Sequence, residues 1–206
     1  MPWSGAGHGS PTITEPQPAP EAARISAETD AELVVRAQAG DRTAFGVLVD
    51  RHAAVVRRVA RAVLNDPDDA DDAAQDAFLS AMVKLQQYDP RRPFGPWLTR
   101  IAVNAATDRR RRRTVRRVEP LEGHLAAGGT LPDADADRRA LGQRLRQALA
   151  ELPERRRMAV VLFDVEGFSH GEIGRILGIP EGTARSEVFH GRRALRALLA
   201  DWKEEA

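Results

Sequence analysis

The chain is predicted to be all-α, with two small helical domains joined by a flexible linker and preceded by a disordered tail. Three observations carry that expectation. Apolar residues recur every three or four positions in each segment rich enough to be ordered. Helix start and stop signals bracket those segments. Two stretches, 1–26 and 114–138, are instead rich in Pro, Gly, Ala and charged residues with no sustained periodicity, the composition of a tail and a linker. At 206 residues there is room for two small domains, expected over 27–113 and 139–204.

The formal net charge is only +1, but the charge is segregated: residues 66–76 read DPDDADDAAQD and residues 109–117 read RRRRRTVRR. That asymmetry implies two partners, one basic and one acidic. The chain has no cysteine, which excludes disulfides, thiol catalysis and Cys-type zinc sites. Its longest apolar run, Met158 to Phe163, is far short of the roughly 20 residues of a membrane span. The N-terminus has neither a basic n-region nor an apolar h-region. No membrane insertion is therefore expected, and a cytoplasmic location is. The histidines are scattered, and no nucleophile and base fall at a spacing that suggests a catalytic site, so neither an enzyme nor a cofactor is expected.

The first helix opens at Thr29, where T-D-A-E makes a capping box with Glu32, and stops at Gly40. Asp41 caps a longer second helix carrying Phe45, Leu48, Val49, Val55, Val56, Val59 and Val63, with His52 on the same stripe as a packed core residue; Asn65-Asp66-Pro67 stops it. The third helix, Asp68 to about Gln87, has two faces. Ala74, Ala77, Phe78, Ala81, Met82 and Leu85 are expected to face the core, while Asp68, Asp72, Gln75, Asp76 and Leu79 line the other side. Acids in a first turn favour the helix dipole, which accounts for part of the cluster. The rest is read as a docking face for a basic partner.

A rigid Pro93-Phe94-Gly95-Pro96 corner then delivers Trp97 to a helix that ends in five consecutive arginines, Arg109 to Arg113. Leu98, Ile101, Ala102 and Ala105 fall on the core side; Trp97, Arg100, Asn104, Asp108 and Arg111 fall on the other. Trp, Arg and Asn on one stripe suit base and phosphate contacts, whereas a merely solvated face is more usually Glu and Lys. Within the following linker, Asp133, Asp135 and Asp137 alternate as in a calcium loop, but the glycine and distal glutamate of such a loop are missing, so no metal is expected.

The second domain starts with a helix over Ala140 to Glu151 and another from Glu154 to Val165, ended by Gly167. Ser169-His170-Gly171-Glu172 is a second capping box opening a short helix that Gly178 stops, and a last helix runs from Glu181 to near Trp202. Short helix, glycine turn, longer helix is the helix-turn-helix pattern. Ala184, Val188, Gly191, Leu195 and Leu199 face inward, which turns Gly182, Ser186, Phe189, His190 and Arg193 outward, flanked by Arg185, Arg192 and Arg196. With the N-terminal half of such a helix in a major groove, Thr183, Arg185, Ser186 and His190 lie nearest the bases or their phosphates.

The blocks DAELVVRAQAGDRTAFGVLVDRHAAVVRRVA, DPDDADDAAQDAFLSA, DPRRPFGPWLTRIAVNAATDRRRRR and LPERRRMAVVLFDVEGFSHGEIGRILGIPEGTARS resemble those of bacterial extracytoplasmic-function (ECF) sigma factors of the sigma-70 superfamily. The resemblance covers about residues 29–113 and 140–200. It implies a sigma factor with only regions 2 and 4, a promoter-specificity subunit of RNA polymerase without catalysis of its own. It implies docking of the acidic helix (Asp68, Asp72, Gln75, Asp76, Leu79) on the beta-prime clamp coiled coil, and contact with the beta flap. Recognition and melting of the −10 element fall to Phe94, Trp97, Arg100, Asn104, Arg109, Arg111 and Arg112. Recognition of double-stranded DNA at −35 falls to Thr183, Arg185, Ser186, His190, Arg192 and Arg193. An anti-sigma factor commonly restrains such proteins. The chain departs from the family's usual G-T-V-K-S-R-L-H-R-A-R at Glu187, Phe189 and Gly191, and His170 and Gly174 replace the commoner Tyr and Ala. Glu187 is expected to weaken or redirect −35 binding by facing phosphate. A free-standing helix-turn-helix repressor or activator, with 29–113 as effector or dimerisation domain, is the competing reading.

Overall fold

A computed structural model describes residues 28–64, 66–116 and 134–200, with side chains described except for 114–116 and 134–139. The tail and most of the expected linker lie outside the described residues, as do the side chains of Asp133, Asp135 and Asp137. Eight α-helices form among the described residues: α1 Asp30–Gln38, α2 Arg42–Leu64, α3 Pro67–Lys84, α4 Phe94–Arg116, α5 Ala134–Glu151, α6 Glu154–Val160, α7 His170–Leu177 and α8 Glu181–Ala200. Two helices run into the expected linker: α4 continues to Arg116 and α5 already begins at Ala134.

Local chemistry fixes the helix boundaries. The Thr29 hydroxyl accepts from the Glu32 N–H (3.3 Å) and the Glu32 carboxylate accepts from the Thr29 N–H (2.7 Å), the reciprocal box the sequence signals. Gly40, at φ +99°, reverses the chain. Asp41 then accepts from the N–H groups of Thr43 (2.9 Å) and Ala44 (3.2 Å) to open α2. Asp66 does the same for α3, with Pro67 just inside the helix.

The first core cluster packs Leu33, Val34, Leu48 and Val56 of α1 and α2 against Ala74, Ala77 and Ala81 of α3 and Phe94, Leu98 and Ile101 of α4. Alanines on α3 let α2 and α4 approach it closely, and each fully buried Leu or Val contributes ~1.5–3 kcal/mol. His52 is the packed residue expected: its Nε2 lies 2.7 Å from Asp30 Oδ2 and its ring meets the Phe94 edge at 5.3 Å. Met82 corrects the sequence reading, because it is 53% exposed. The buried stripe is Ala70, Ala73, Ala74, Ala77 and Ala81, and at ~100° per residue Met82 falls well outside it.

In the second half, α6 does not continue to Val165 as an α-helix. It passes into a π turn over Val161–Val165, closed by Glu166 N–H donating to Val161 O (3.1 Å). Ser169 and Glu172 form the second capping box, and Gly178 ends α7 at φ +68°. Two glycines that depart from the family pattern are explained by space. A Cβ at Gly174 would stand 2.8 Å from Ile179 O, and one at Gly191 would stand 2.5 Å from Val160 Cγ2 where α8 crosses α6. Gly174→Ala is expected to lower stability by ~1–3 kcal/mol, because backbone rather than a flexible side chain must yield. A thermal melt showing no decrease in Tm would contradict this account of the turn.

The halves are not independent bodies in this conformation. Val59, Ala60 and Val63 of α2, Ala70 and Ala73 of α3 and Ala106 of α4 share one buried cluster with Met158, Leu162, Ile173 and Ile176. Arg58 chelates Glu166 across the junction (2.7 Å twice), with the Glu166 side chain only 1% exposed, and Arg110 pairs with Glu154 at 2.6 Å. The Val59–Val63 stripe, read as the core of one domain, in fact seats the other.

Candidate nucleic-acid and polymerase interfaces

The corner before α4 is built from aromatics. Tyr88, 7% exposed, packs tilted against Trp97 (centroids 4.4 Å, 40° between planes) and meets the Phe94 edge at 5.8 Å, while Phe94 lies 5.4 Å from Trp97. The Tyr88 hydroxyl donates to Arg92 O (2.5 Å), and burial pushes its pKa up to about 12. Gln38 of α1 pins the segment from behind by donating to Leu85 O and Tyr88 O, both at 2.8 Å. Trp97 is left half-buried on this platform, with Arg100 and Asn104 exposed along the same stripe.

Phe94 was expected to touch DNA and does not present itself: at 4% exposure it is a core residue that supports Trp97 from below. Tyr88 and Gln38 were not singled out from sequence. An aromatic ahead of the Pro-rich corner was the available signal for Tyr88; nothing local marked Gln38, whose partners lie about fifty positions on.

The arginine run divides. Arg109 donates to Asp69 (2.9 Å) and Asp72 (2.5 Å), and Arg113 to Asp66 (3.0 Å) and Asp69 (2.5 Å). These bonds hold the Arg109 and Arg113 guanidinium pKa values above their ordinary value. The Asp66 carboxyl is held below its usual range, first by the Asp69 N–H and then by Arg113. Arg109, expected to contact the −10 element, thus staples α4 to α3, and only Arg111 and Arg112 of the three expected contacts in the run are exposed.

On α3, Asp68, Asp72, Gln75, Asp76 and Leu79 all face outward, as the sequence pattern placed them. Asp72 is partly engaged by Arg109, and Asp76 lies 4.0 Å from the same guanidinium. Beside Leu79, which is 59% exposed, the structure adds apolar surface that the sequence reading did not place there: Met82 is 53% and Val83 76% exposed. Acids flanking three bare apolar side chains make this an exposed amphipathic strip, the kind of surface that marks interaction sites.

On α8, Arg185, Ser186, Phe189, His190 and Arg193 are exposed and Thr183 half-buried. Arg192 is diverted: it chelates Asp164 and lies over the Phe163 ring at 4.8 Å, which in turn stacks on His170 at 4.6 Å. Glu187 corrects a second expectation. Its carboxylate, 20% exposed, accepts from Arg156 of α6 at 3.3 Å and is turned away from the open face.

A family model described as Sigma-70 region 2 matches residues 48–116, and one described as Sigma-70, region 4 matches residues 142–195. The chain belongs to the ECF sigma factors. It is 38% identical over 174 residues to the ECF RNA polymerase sigma factor SigM of Mycobacterium tuberculosis, covering 83% of this chain and 85% of that one. It is 36% identical over 178 residues to the ECF RNA polymerase sigma-E factor of Escherichia coli, covering 81% and 92%. Among solved structures it resembles CnrH in complex with the cytosolic domain of CnrY (TM-score 0.66, 30% identity, 84% of this chain and 99% of that one). It also resembles RpoE in complex with the anti-sigma factor NepR from Bartonella quintana (TM-score 0.61, 26% identity, 76% and 96%). As an ECF sigma factor it is a non-catalytic subunit that binds RNA polymerase and promoter elements and promotes transcription initiation. Among the described residues no helix is long and apolar enough to cross a membrane.

Proposed function

We propose that this sigma factor acts in the cytoplasm and divides its work among three surfaces. The outer strip of α3, with Asp68, Asp72, Gln75, Asp76 and Leu79, docks on the beta-prime clamp coiled coil. Trp97, Arg100, Asn104, Arg111 and Arg112 engage the melted −10 element. Thr183, Arg185, Ser186, His190 and Arg193 of α8 enter the −35 major groove, while region 4 also meets the beta flap. What supports this reading is the placement of an acidic, apolar strip and a cationic, aromatic stripe on different helices of region 2, so that polymerase and DNA are held at the same time. RpoE, solved with the anti-sigma factor NepR, supports a similar regulator for this chain.

Magnitudes set the limits of each surface. Opening roughly ten base-pair steps at ~1.4 kcal/mol each costs on the order of 14 kcal/mol, and stacking one flipped base on an aromatic returns ~1–3. Trp97 therefore captures an extruded base, and polymerase contacts supply the rest. The direct test is run-off transcription: core polymerase plus this chain should give specific transcripts from a cognate promoter, and no gain over core alone would overturn the reading. Arg111→Ala with Arg112→Ala should weaken all promoters alike and reduce the slope of log K against log salt by about one unit per lost phosphate contact. A changed sequence preference would show instead that these arginines read bases.

A further inference from the structure

Phe189 has no part in the assignments above, yet it stands on the open face of α8, 61% exposed. The helix buries Ala184, Val188, Gly191 and Leu195. At helical spacing, that leaves Phe189 among the exposed Arg185, Ser186 and Arg193. The His190 ring meets its edge at 5.4 Å and 77°. Two acids of the same helix are engaged by arginines, Glu187 by Arg156 at 3.3 Å and Glu181 by Arg185 at 3.4 Å, and the exposed Arg193 stands one turn from the ring.

A phenyl ring cannot hydrogen-bond a base edge. In a major groove the one apolar group it can meet is the C5-methyl of thymine, since the other positions present donors and acceptors. We infer that Phe189 is a specificity-determining residue that reads a thymine methyl within the −35 element. The inference rests on the assignment of α8 to the −35 groove. It accounts for a bare aromatic on a surface otherwise suited to phosphates and polar base edges.

The test uses the full chain assembled with core polymerase and a promoter duplex selected by that holoenzyme from a random-sequence pool. The duplex is resynthesised with deoxyuridine replacing each −35 thymine in turn, which removes only the methyl. One position should then bind roughly fourfold more weakly, the value of one buried methyl-sized group. Phe189→Ala should bind the unmodified duplex more weakly and lose that discrimination, with an unchanged melting temperature because the ring is not in the core. Tolerance of deoxyuridine everywhere, or an undiminished loss in Phe189→Ala, overturns the inference. Arg193→Ala on the same duplex separates the two levels. If it weakens binding while deoxyuridine is tolerated, only the role of Phe189 falls; if it too has no effect, the assignment of α8 falls with it.

Discussion

Asp76→Lys combined with Leu79→Asp should reduce capture of core polymerase by at least about a hundredfold, with little change in Tm. Both side chains are exposed, Leu79 at 59%, so the fold loses almost nothing when they change. At a docked interface the consequences are large. A lysine opposite a basic partner surface replaces attraction by repulsion, and an aspartate in place of leucine buries a charge without a partner. Central interface residues cost ~2 kcal/mol or more each when removed, and two such losses exceed a factor of a hundred. Asp72 is the poorer target, because Arg109 donates to it at 2.5 Å and its reversal would also disturb the α3–α4 contact. Pulldown with core polymerase, alongside a thermal melt, measures both terms. Undiminished capture would remove α3 as the docking element and favour a free-standing DNA-binding regulator.

Locking region 4 onto region 2 should abolish promoter-specific transcription, and releasing it should restore activity. The −10 and −35 elements are separated by about 25 base pairs, or on the order of 85 Å of duplex at ~3.4 Å per pair. In this conformation Arg175 of α7 lines the same cleft as Trp97 and Arg100, and α8 follows α7 after a short turn. Packed helices lie ~8–10 Å apart and a twenty-residue helix is ~30 Å long, so α8 cannot reach −35 while Trp97 is at −10. The absence of natural cysteine makes the experiment clean. Arg58→Cys with Glu166→Cys, bridged by a short thiol reagent carrying a cleavable disulfide, should be inactive in run-off transcription until reductant is added. Each single-cysteine variant should stay active. A bridged protein that still initiates from both elements would show that the shared core does not have to open.

Much of the molecule was legible in the order of residues. Both capping boxes, at Thr29 and Ser169, and the Gly178 stop follow from chemistry confined to three or four neighbouring positions. The outward placement of Asp68, Asp72, Gln75, Asp76 and Leu79 follows from the period of one helix. Where the reading failed, the cause was a partner distant in sequence. Met82 is the exception: it was assigned to the core because the stripe was drawn one position too wide, and at ~100° per residue it falls outside the face that Ala74, Ala77 and Ala81 bury. Arg109 and Arg192 looked like free cations, and acids contributed by other helices engage both.

The sequence by itself determined the helical class, the capped helix ends, most of the faces the helices bury and the family to which they belong, because these depend on local propensity and periodicity. Only the tertiary structure decided which charges remain available to a partner. Glu187 is engaged by Arg156 across from it, and Phe94 lies in the core beneath Trp97. It also decided that Val59 and Val63 of α2 bury Met158 and Leu162 of α6 and its π turn. Hydrophobic burial has no direction and no address in the chain, so a helical stripe states that it must be covered but not by what.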